Sequence, residues 1–135
     1  MTGRPAVHAL LVTWNHYAVT RDCLTTLFAA DYPAEQLTVW VVDNASSDGT
    51  PVSIRAEFPQ ARLLEHTWNA GFARGINRAA RAVLDSSNDP YLLILNNDTL
   101  LDPTMIGTLV DALEAHPEAG IAAPAIYYAH DPERL

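Results

Sequence analysis

Short apolar runs alternate with helical patterns along this chain, and this alternation restricts the fold more than any other feature. The first run, at 7–13, reads VHALLVT, and further runs follow at 37–42, 62–66 and 91–95. Each run has the length of a strand and is bounded by turn-forming residues. The last run is apolar at every position, which is typical of a strand inside a parallel sheet covered by helices. The alternation therefore predicts an α/β fold with an open, mostly parallel, doubly wound sheet.

Helices are predicted between these runs from capping residues and apolar spacing. Thr20 is predicted to cap the first helix, and Thr50-Pro51 to open the second. A third helix is expected at 71–84, and Asp102-Pro103 is expected to open a fourth. A fifth strand is predicted at 121–127. The third helix is predicted to carry its apolar stripe on Phe72, Ile76, Ala80, Val83 and Leu84.

The composition excludes several classes of function. The chain has 135 residues, which fits one domain spanning 1–135. It carries 16 acidic and 8 basic residues, for a formal charge of −8, and such a field repels nucleic acids and anionic lipids. All the basic residues are arginine, so a P-loop lysine and a Schiff base are excluded. We therefore expect no nucleic-acid partner.

The cysteine content and the absence of long apolar runs bear on location. Cys23 is the one cysteine, and its place in a helical pattern predicts a packing role. The N-terminus does not have the pattern of a signal peptide, and no run approaches the roughly 20 apolar residues that cross a bilayer. The sequence predicts no transmembrane segment and a cytoplasmic location. This prediction leaves open a peripheral attachment to the inner face of the membrane through segments outside this sequence.

Polar side chains follow the first, second and fourth runs, at the point where each run ends. Thr13 and Asn15 end the first, Asp43 ends the second, and Asp98 follows the fourth. In open α/β sheets, ligands bind outside the carboxyl ends of the strands. We therefore expect a ligand site that includes these residues.

The loop after the fourth run has the composition of a small metal site. Asn96, Asn97 and Asp98 come directly after an apolar strand, which would hold their side chains on a rigid support. One carboxylate with neighbouring amides is too little for a calcium cage. It suits Mg²⁺ or Mn²⁺, which keep waters and take further oxygens from a substrate diphosphate. The alternative is that Asp98 only caps the turn before Asp102.

Two other strand-end loops have features of a binding site. Asp43 can accept hydrogen bonds from a base or from ribose hydroxyls, or it can start an Asx-turn. The loop at 69–77 reads NAGFARGIN, and its glycines and free N–H groups at a helix start allow an anion to approach. Arg74 adds a positive charge there. Gly75 inside a helix costs roughly 1 kcal/mol against alanine, which tight helix–sheet packing explains as well as ligand contact does.

Several competing motifs are absent from the sequence. No GxGxxG follows the first run, and no GxSxG occurs anywhere. The five histidines have no paired spacing that indicates zinc. A nucleotidyltransferase with a similar sheet would carry a glycine-rich, basic loop after the first strand, and TWNH at 13–16 is neither.

Four blocks of the chain resemble family 2 glycosyltransferases, and they are most similar to the N-terminal donor-binding portion of the rhamnosyltransferase-like branch. That branch builds bacterial cell-surface polysaccharide. The blocks occur in the family's order and together cover most of the chain. They read VTWN at 12–15, VVDNASSDGT at 41–50, NAGFARGIN at 69–77 and LLILNNDT at 92–99.

The resemblance implies a GT-A fold and transfer with inversion from a nucleotide-diphosphate-sugar donor, with dTDP- or UDP-sugars favoured. The implied acceptor is a cell-surface polysaccharide or another glycan or glycolipid. The implied nucleotide-binding residues are Thr13, Asn15, Asp43, Asn69, Gly71 and Arg74, with Asp43 on the pyrimidine base. Asp98 matches the last aspartate of the family's D-x-D metal motif, and Asn96 stands where the first acid is expected.

Two departures from the family pattern limit what the resemblance implies. Asn96 can coordinate a metal through its oxygen but brings no charge. The family's catalytic base lies well beyond the metal motif, so it is expected beyond Leu135 and is not assigned here. We therefore expect donor binding without efficient transfer by these residues alone.

The alternative is a non-catalytic nucleotide- or partner-binding module with a retained GT-A-like fold. Asn96 favours this alternative, and the presence of both Asp43 and Asp98 opposes it.

Overall fold

A computed structural model describes residues 3–89, 91–131 and 133–134. Strands and helices alternate along the chain, and a short 3₁₀ turn at Ala34–Gln36 precedes the second strand. The elements are β1 (Val7–Thr13), α1 (Tyr17–Phe28), β2 (Leu37–Asp43), α2 (Thr50–Glu57), β3 (Arg62–Glu65), α3 (Phe72–Ser86), β4 (Tyr91–Asn96) and α4 (Met105–Ala115). In the part of the chain described, no helix is long and apolar enough to cross a membrane.

The four strands form one parallel sheet in the order β3-β2-β1-β4. β1 is central, and its register places Thr13 beside Asp43 of β2 and Val12 beside Asn96 of β4. From β1 the chain adds β2 and β3 on one side and then returns to add β4 on the other side, so the switch point of the sheet lies between β1 and β4. Open α/β sheets bind ligands at such switch points. The predicted α/β class with a parallel sheet is confirmed.

Helices cover both faces of the sheet, as in a doubly wound fold. Alternate residues of β1 point to opposite faces, because side chains alternate along a strand. Leu11 belongs to the cluster formed with α1, α2 and α4, whereas Leu10 belongs to the cluster formed with α3. Both leucines are fully buried. This double cover explains why β1 is apolar along most of its length.

The predicted strand at 91–95 is confirmed as β4, but its predicted interior position and the predicted fifth strand were wrong. β4 is an edge strand of the described sheet, and its Leu92 and Ile94 are 40% and 55% exposed. Residues 121–127 form no strand and are largely exposed, and the one bridge nearby joins Tyr128 to Asp131. An apolar run indicates burial in general but does not specify which neighbour supplies it, so these segments were misread.

Three helix details also differ from the sequence predictions. α1 begins at Tyr17 with His16 as its N-cap, so Thr20 lies inside the helix and is fully buried. α2 begins at Thr50 itself, with Gly49 in the left-handed region as its N-cap. In α3 the residues buried against the sheet are Gly75, Ile76, Ala79 and Val83, whereas Phe72 and Leu84 are exposed.

Candidate functional site

The loops that follow β1 and β2 are tied together by their own side chains. The backbone N–H of Asn15 donates to Ser46 Oγ at 2.7 Å, and the N–H of Ser47 donates to Asn15 Oδ1 at 2.9 Å. Asn15 has a φ of 57°, in the left-handed region that asparagine tolerates better than most residues. The strand ends therefore carry a fixed pair of loops.

Thr13 supports these loops from beneath. Its side chain is buried, and its Oγ1 lies 2.7 Å from Oγ1 of Thr20 in α1. The side-chain amide of Asn97 donates to the same Thr20 oxygen at 3.0 Å, and the carbonyl of Thr13 accepts from the N–H of Asn44. The buried Thr20 thus joins the ends of β1 and β4, a role that the sequence reasoning missed.

Asp43, at the end of β2, is a buried carboxylate with one free oxygen. The residue is 1% exposed, and its Oδ2 accepts from the N–H of Ser46 at 2.9 Å. Its Oδ1 is buried without a hydrogen-bond partner among the described residues. An unpaired buried oxygen is costly, the more so on a charged group, so it requires an explanation. A ligand that brings an N–H or O–H donor would satisfy it.

Asn44 connects the end of β2 to the start of α3. Its Nδ2 donates to the carbonyl of Gly71 at 3.2 Å, and its Oδ1 lies 3.0 Å from Nδ1 of His66. Gly71 has a φ of +79°, and its N–H donates to Asn69 Oδ1 at 3.0 Å. The predicted residues Asn69 and Gly71 therefore belong to a hydrogen-bonded turn that is fixed to the sheet through Asn44.

A cleft of about 430 Å³ opens beside this turn. Its guanidinium groups are held in place: Arg74 lies over the ring of Trp68, 5.5 Å from its centroid, and Arg78 donates to the carbonyl of Glu65 at 2.7 Å. In an acidic chain, this cleft concentrates positive charge beside the end of β2. The lining residues are Glu65, His66, Thr67, Trp68, Arg74 and Arg78. Of these, only Arg74 was predicted, because the others become neighbours only through the fold.

Asn96 and Asp98 lie on the other side of β1, at the carboxyl end of β4. Both are exposed, and neither side chain hydrogen-bonds to another group in the described part of the chain. α4 begins at Met105 with Thr104 as its N-cap, rather than at the expected Asp102-Pro103, and it is Asp102, not Asp98, whose Oδ1 accepts from the N–H and hydroxyl of Thr104 in the preceding turn. Residues 3–89, 91–131 and 133–134 contain no cluster of three or more His, Cys, Asp or Glu side chains that could hold a metal. A metal here would need further ligands from its substrate and from water.

Cys23 lies beneath this loop and has the packing role that was predicted. It is fully buried, and its Sγ is 3.7 Å from the carbonyl oxygen of Asn96. Burial raises the pKa of the thiol to about 11, and the nearby Asp98 carboxylate also raises it. Such a thiol is protonated at neutral pH and is a poor nucleophile.

Comparison with known proteins identifies the fold and the family. The family model for glycosyl transferase family 2 matches residues 9–134. One curated relative is the N-acetylglucosaminyl-diphospho-decaprenol L-rhamnosyltransferase of Mycobacterium tuberculosis, which is 30% identical over 97 residues. That alignment covers 67% of this chain and 32% of the relative, so the chain spans about a third of the relative's length.

Solved structures agree with this assignment. The mannosyltransferase PcManGT from Pyrobaculum calidifontis, in complex with GDP-Man and Mn²⁺, has a TM-score of 0.72 and 30% identity, over 83% of this chain and 33% of that one. TarS from S. aureus, in complex with UDP, has a TM-score of 0.71 at 17% identity, over 89% of this chain and 38% of that one, and shows the fold alone. The chain therefore has a GT-A fold and belongs to glycosyl transferase family 2, with a rhamnosyltransferase-like sequence.

Proposed function

We propose that this chain forms the nucleotide-sugar-binding part of an inverting glycosyltransferase. The donor is a nucleotide-diphosphate-sugar, preferably a dTDP- or UDP-sugar, and the acceptor is a cell-surface polysaccharide or a glycolipid. The observation that carries the proposal is the free Oδ1 of the buried Asp43. A pyrimidine base of the uracil or thymine type carries an N–H that this oxygen can accept, and the base would sit where the loops of β1, β2 and α3 meet.

The diphosphate would extend from this base site across β1 towards β4. Asp98 and Asn96 offer one carboxylate and one amide oxygen there, with no competing hydrogen bond within the described residues. This donor set fits Mg²⁺ or Mn²⁺, which would complete its shell with diphosphate oxygens and water. When bound, the ion would neutralise the charge that develops on the leaving diphosphate.

The relatives support this choice of ligand and also define a competitor. The similar mannosyltransferase holds GDP-Man with Mn²⁺, whereas the similar mycobacterial protein is a rhamnosyltransferase. Guanine also carries N–H donors, so Asp43 alone does not separate it from a pyrimidine. The nucleotide preference therefore has to be measured.

Transfer needs a general base that deprotonates the acceptor hydroxyl. We assign none of the described acids to that role. We therefore expect residues 1–135 to bind donor without efficient transfer. Robust turnover of an acceptor by this chain alone would contradict that expectation.

Calorimetric titration tests the proposal. UDP, dTDP and GDP would be titrated with and without Mn²⁺ against this chain, its Asp98→Ala variant and a matched Glu35→Gln control. Glu35 is an exposed acid that precedes β2, at the opposite end of the sheet. We expect one nucleotide to bind in the presence of Mn²⁺. Its affinity should be lower for Asp98→Ala and unchanged for Glu35→Gln.

Other outcomes would point away from a glycosyltransferase donor site. Binding that is equally strong without metal and in Asp98→Ala would favour the non-catalytic nucleotide-binding module, for which the uncharged Asn96 is the supporting observation. No binding of any of the three nucleotides by the folded chain would reject the donor site as proposed.

A further inference from the structure

The hydrogen bonds around Asn44 determine which nitrogen of His66 carries a proton. The carbonyl of Gly71 can only accept, so the Asn44 group that faces it must be the NH₂. Asn44 Oδ1 therefore faces His66 and can only accept from Nδ1, 3.0 Å away. The ring is thus held as the Nδ1–H tautomer, and its Nε2 carries a lone pair whenever the ring is neutral.

The surroundings of His66 keep the ring neutral at physiological pH. Burial lowers its pKa, and the Arg78 guanidinium lowers it further, against the opposing effect of the Asp43 carboxylate. No hydrogen bond within the described residues uses Nε2, and the ring forms part of the wall of the 430 Å³ cleft. Nε2 is therefore an unused acceptor in a cleft whose lining also includes the donors of Arg74 and Arg78 and the acid Glu65.

His66 is also fixed directly to Asp43. Its backbone N–H donates to the carbonyl oxygen of Asp43 at 2.8 Å, at the end of the β2–β3 pairing. The two residues place a histidine acceptor and the free Asp43 Oδ1 at the ends of adjacent strands. Each of these acceptors can take a hydrogen bond from an N–H or O–H donor.

We propose that His66 is a specificity-determining residue of the nucleotide site, in which Nε2 accepts a hydrogen bond from the ribose 2′-hydroxyl of a bound ribonucleoside diphosphate such as UDP, because the one N–H of a uracil or thymine base is already assigned to Asp43. This inference rests on the proposed function, since it requires a nucleotide beside Asp43. Nε2 can act as this acceptor because Asn44 holds the His66 ring in its Nδ1–H tautomer. The residue would act on the affinity for the nucleoside and not on the metal.

Two substitutions separate this contact from a purely structural role. In His66→Asn, the new amide NH₂ lies near the place of Nδ1 and keeps the bond to Asn44, while the Nε2 acceptor is lost. In His66→Gln, the longer side chain keeps an acceptor near the place of Nε2 and loses the bond to Asn44. We expect His66→Asn to weaken binding of UDP about fivefold to tenfold, the worth of one hydrogen bond, with little change in the unfolding midpoint. We expect His66→Gln to lower the midpoint and to retain more of the affinity than His66→Asn.

The experiment is calorimetric titration of UDP, dTDP and GDP with Mn²⁺ against the 135-residue chain and both variants. Titration of 2′-deoxy-UDP and dTDP, which lack the 2′-hydroxyl, tests the donor group: the His66→Asn penalty should disappear with both ligands, and a penalty that persists would overturn the inference. Unchanged affinity in His66→Asn would overturn the inference while leaving the donor site intact. Failure of the unsubstituted chain to bind any of these nucleotides would instead reject the proposed function on which the inference rests.

Discussion

Gly75 of α3 lies directly against Val12 of β1. A Cβ atom at Gly75 would be 2.6 Å from Cγ2 and 3.2 Å from Cγ1 of Val12, well inside van der Waals contact. The χ1 angle of a β-branched valine on a central strand is restricted, so this side chain cannot readily move away. The glycine in this helix is therefore explained by close helix–sheet packing, and α3 approaches the sheet near the loop that carries the candidate site.

Gly75→Ala is expected to destabilise the chain. Overpacking costs about 1–3 kcal/mol, and the better helix propensity of alanine offsets roughly 1 kcal/mol of it. Gly107→Ala in α4 is the matched control, since its Cβ would meet only the flexible end of Arg4, at 3.4 Å. Urea unfolding should give a lower free energy of unfolding for Gly75→Ala than for the unsubstituted chain. For Gly107→Ala it should give an equal or higher value. Equal stability of the two variants would contradict the packing explanation.

Thr20→Val is expected to lower the free energy of unfolding by about 1–3 kcal/mol, because it leaves the hydroxyl of Thr13 and the amide of Asn97 without their shared partner. Thr25→Val is the control: its hydroxyl is exposed and bonds only to the carbonyl of Arg21 in its own helix. We expect that control to change stability by less than about 0.5 kcal/mol. Urea titration of both variants compares them, and a Thr20→Val chain as stable as Thr25→Val would show that the buried bonds contribute little.

Stability and nucleotide affinity should both depend on pH through His66. Arg74 and Arg78 of α3, Asp43 of β2 and the adjacent Glu65 are the charged groups around the ring. The pKa of His66 is lower in the folded state than its unfolded value of about 6.5. The stability that the neutral ring contributes is therefore fully present above the unfolded pKa and is lost as the pH falls through the folded pKa. The unfolding midpoint of the chain should therefore fall relative to that of His66→Asn between pH 7 and pH 5. A constant difference between the two midpoints would contradict this sign.

The positions of the strands along the sequence were more predictable than the order in which the strands lie side by side in the sheet. β1 was predicted at 7–13 and is observed there, because a run buried on both faces has a clear composition. The edge position of β4 was not predictable, since local composition does not show which strands flank it. Thr20 was misread as a cap because a threonine before an apolar stripe is typical of a helix start, whereas the structure buries its hydroxyl between Thr13 and Asn97.

The candidate site was predictable where polar residues follow the first, second and fourth strands and where the loop at 69–77 combines glycines with an arginine. Asp43 and Asp98 could be assigned to one edge of the sheet because parallel strands end together. His66 and Trp68 could not, because their approach to Arg74 depends on how α3 packs against β1 and β2. The free oxygen of Asp43 was also invisible in the sequence, since it depends on which loop N–H groups reach the carboxylate.

Asp43→Asn tests the central claim most directly, because it changes the free oxygen with almost no change in shape. The variant can keep an acceptor for the N–H of Ser46 and would present an NH₂ in place of Oδ1. Calorimetric titration with the preferred nucleoside diphosphate and Mn²⁺ should show affinity about 10-fold to 100-fold lower, the worth of a hydrogen bond to a charged group. The unfolding midpoint should be unchanged or higher, since a buried charge has been removed. Unchanged nucleotide affinity in Asp43→Asn would contradict the account, because the free carboxylate oxygen would then have no part in binding the donor.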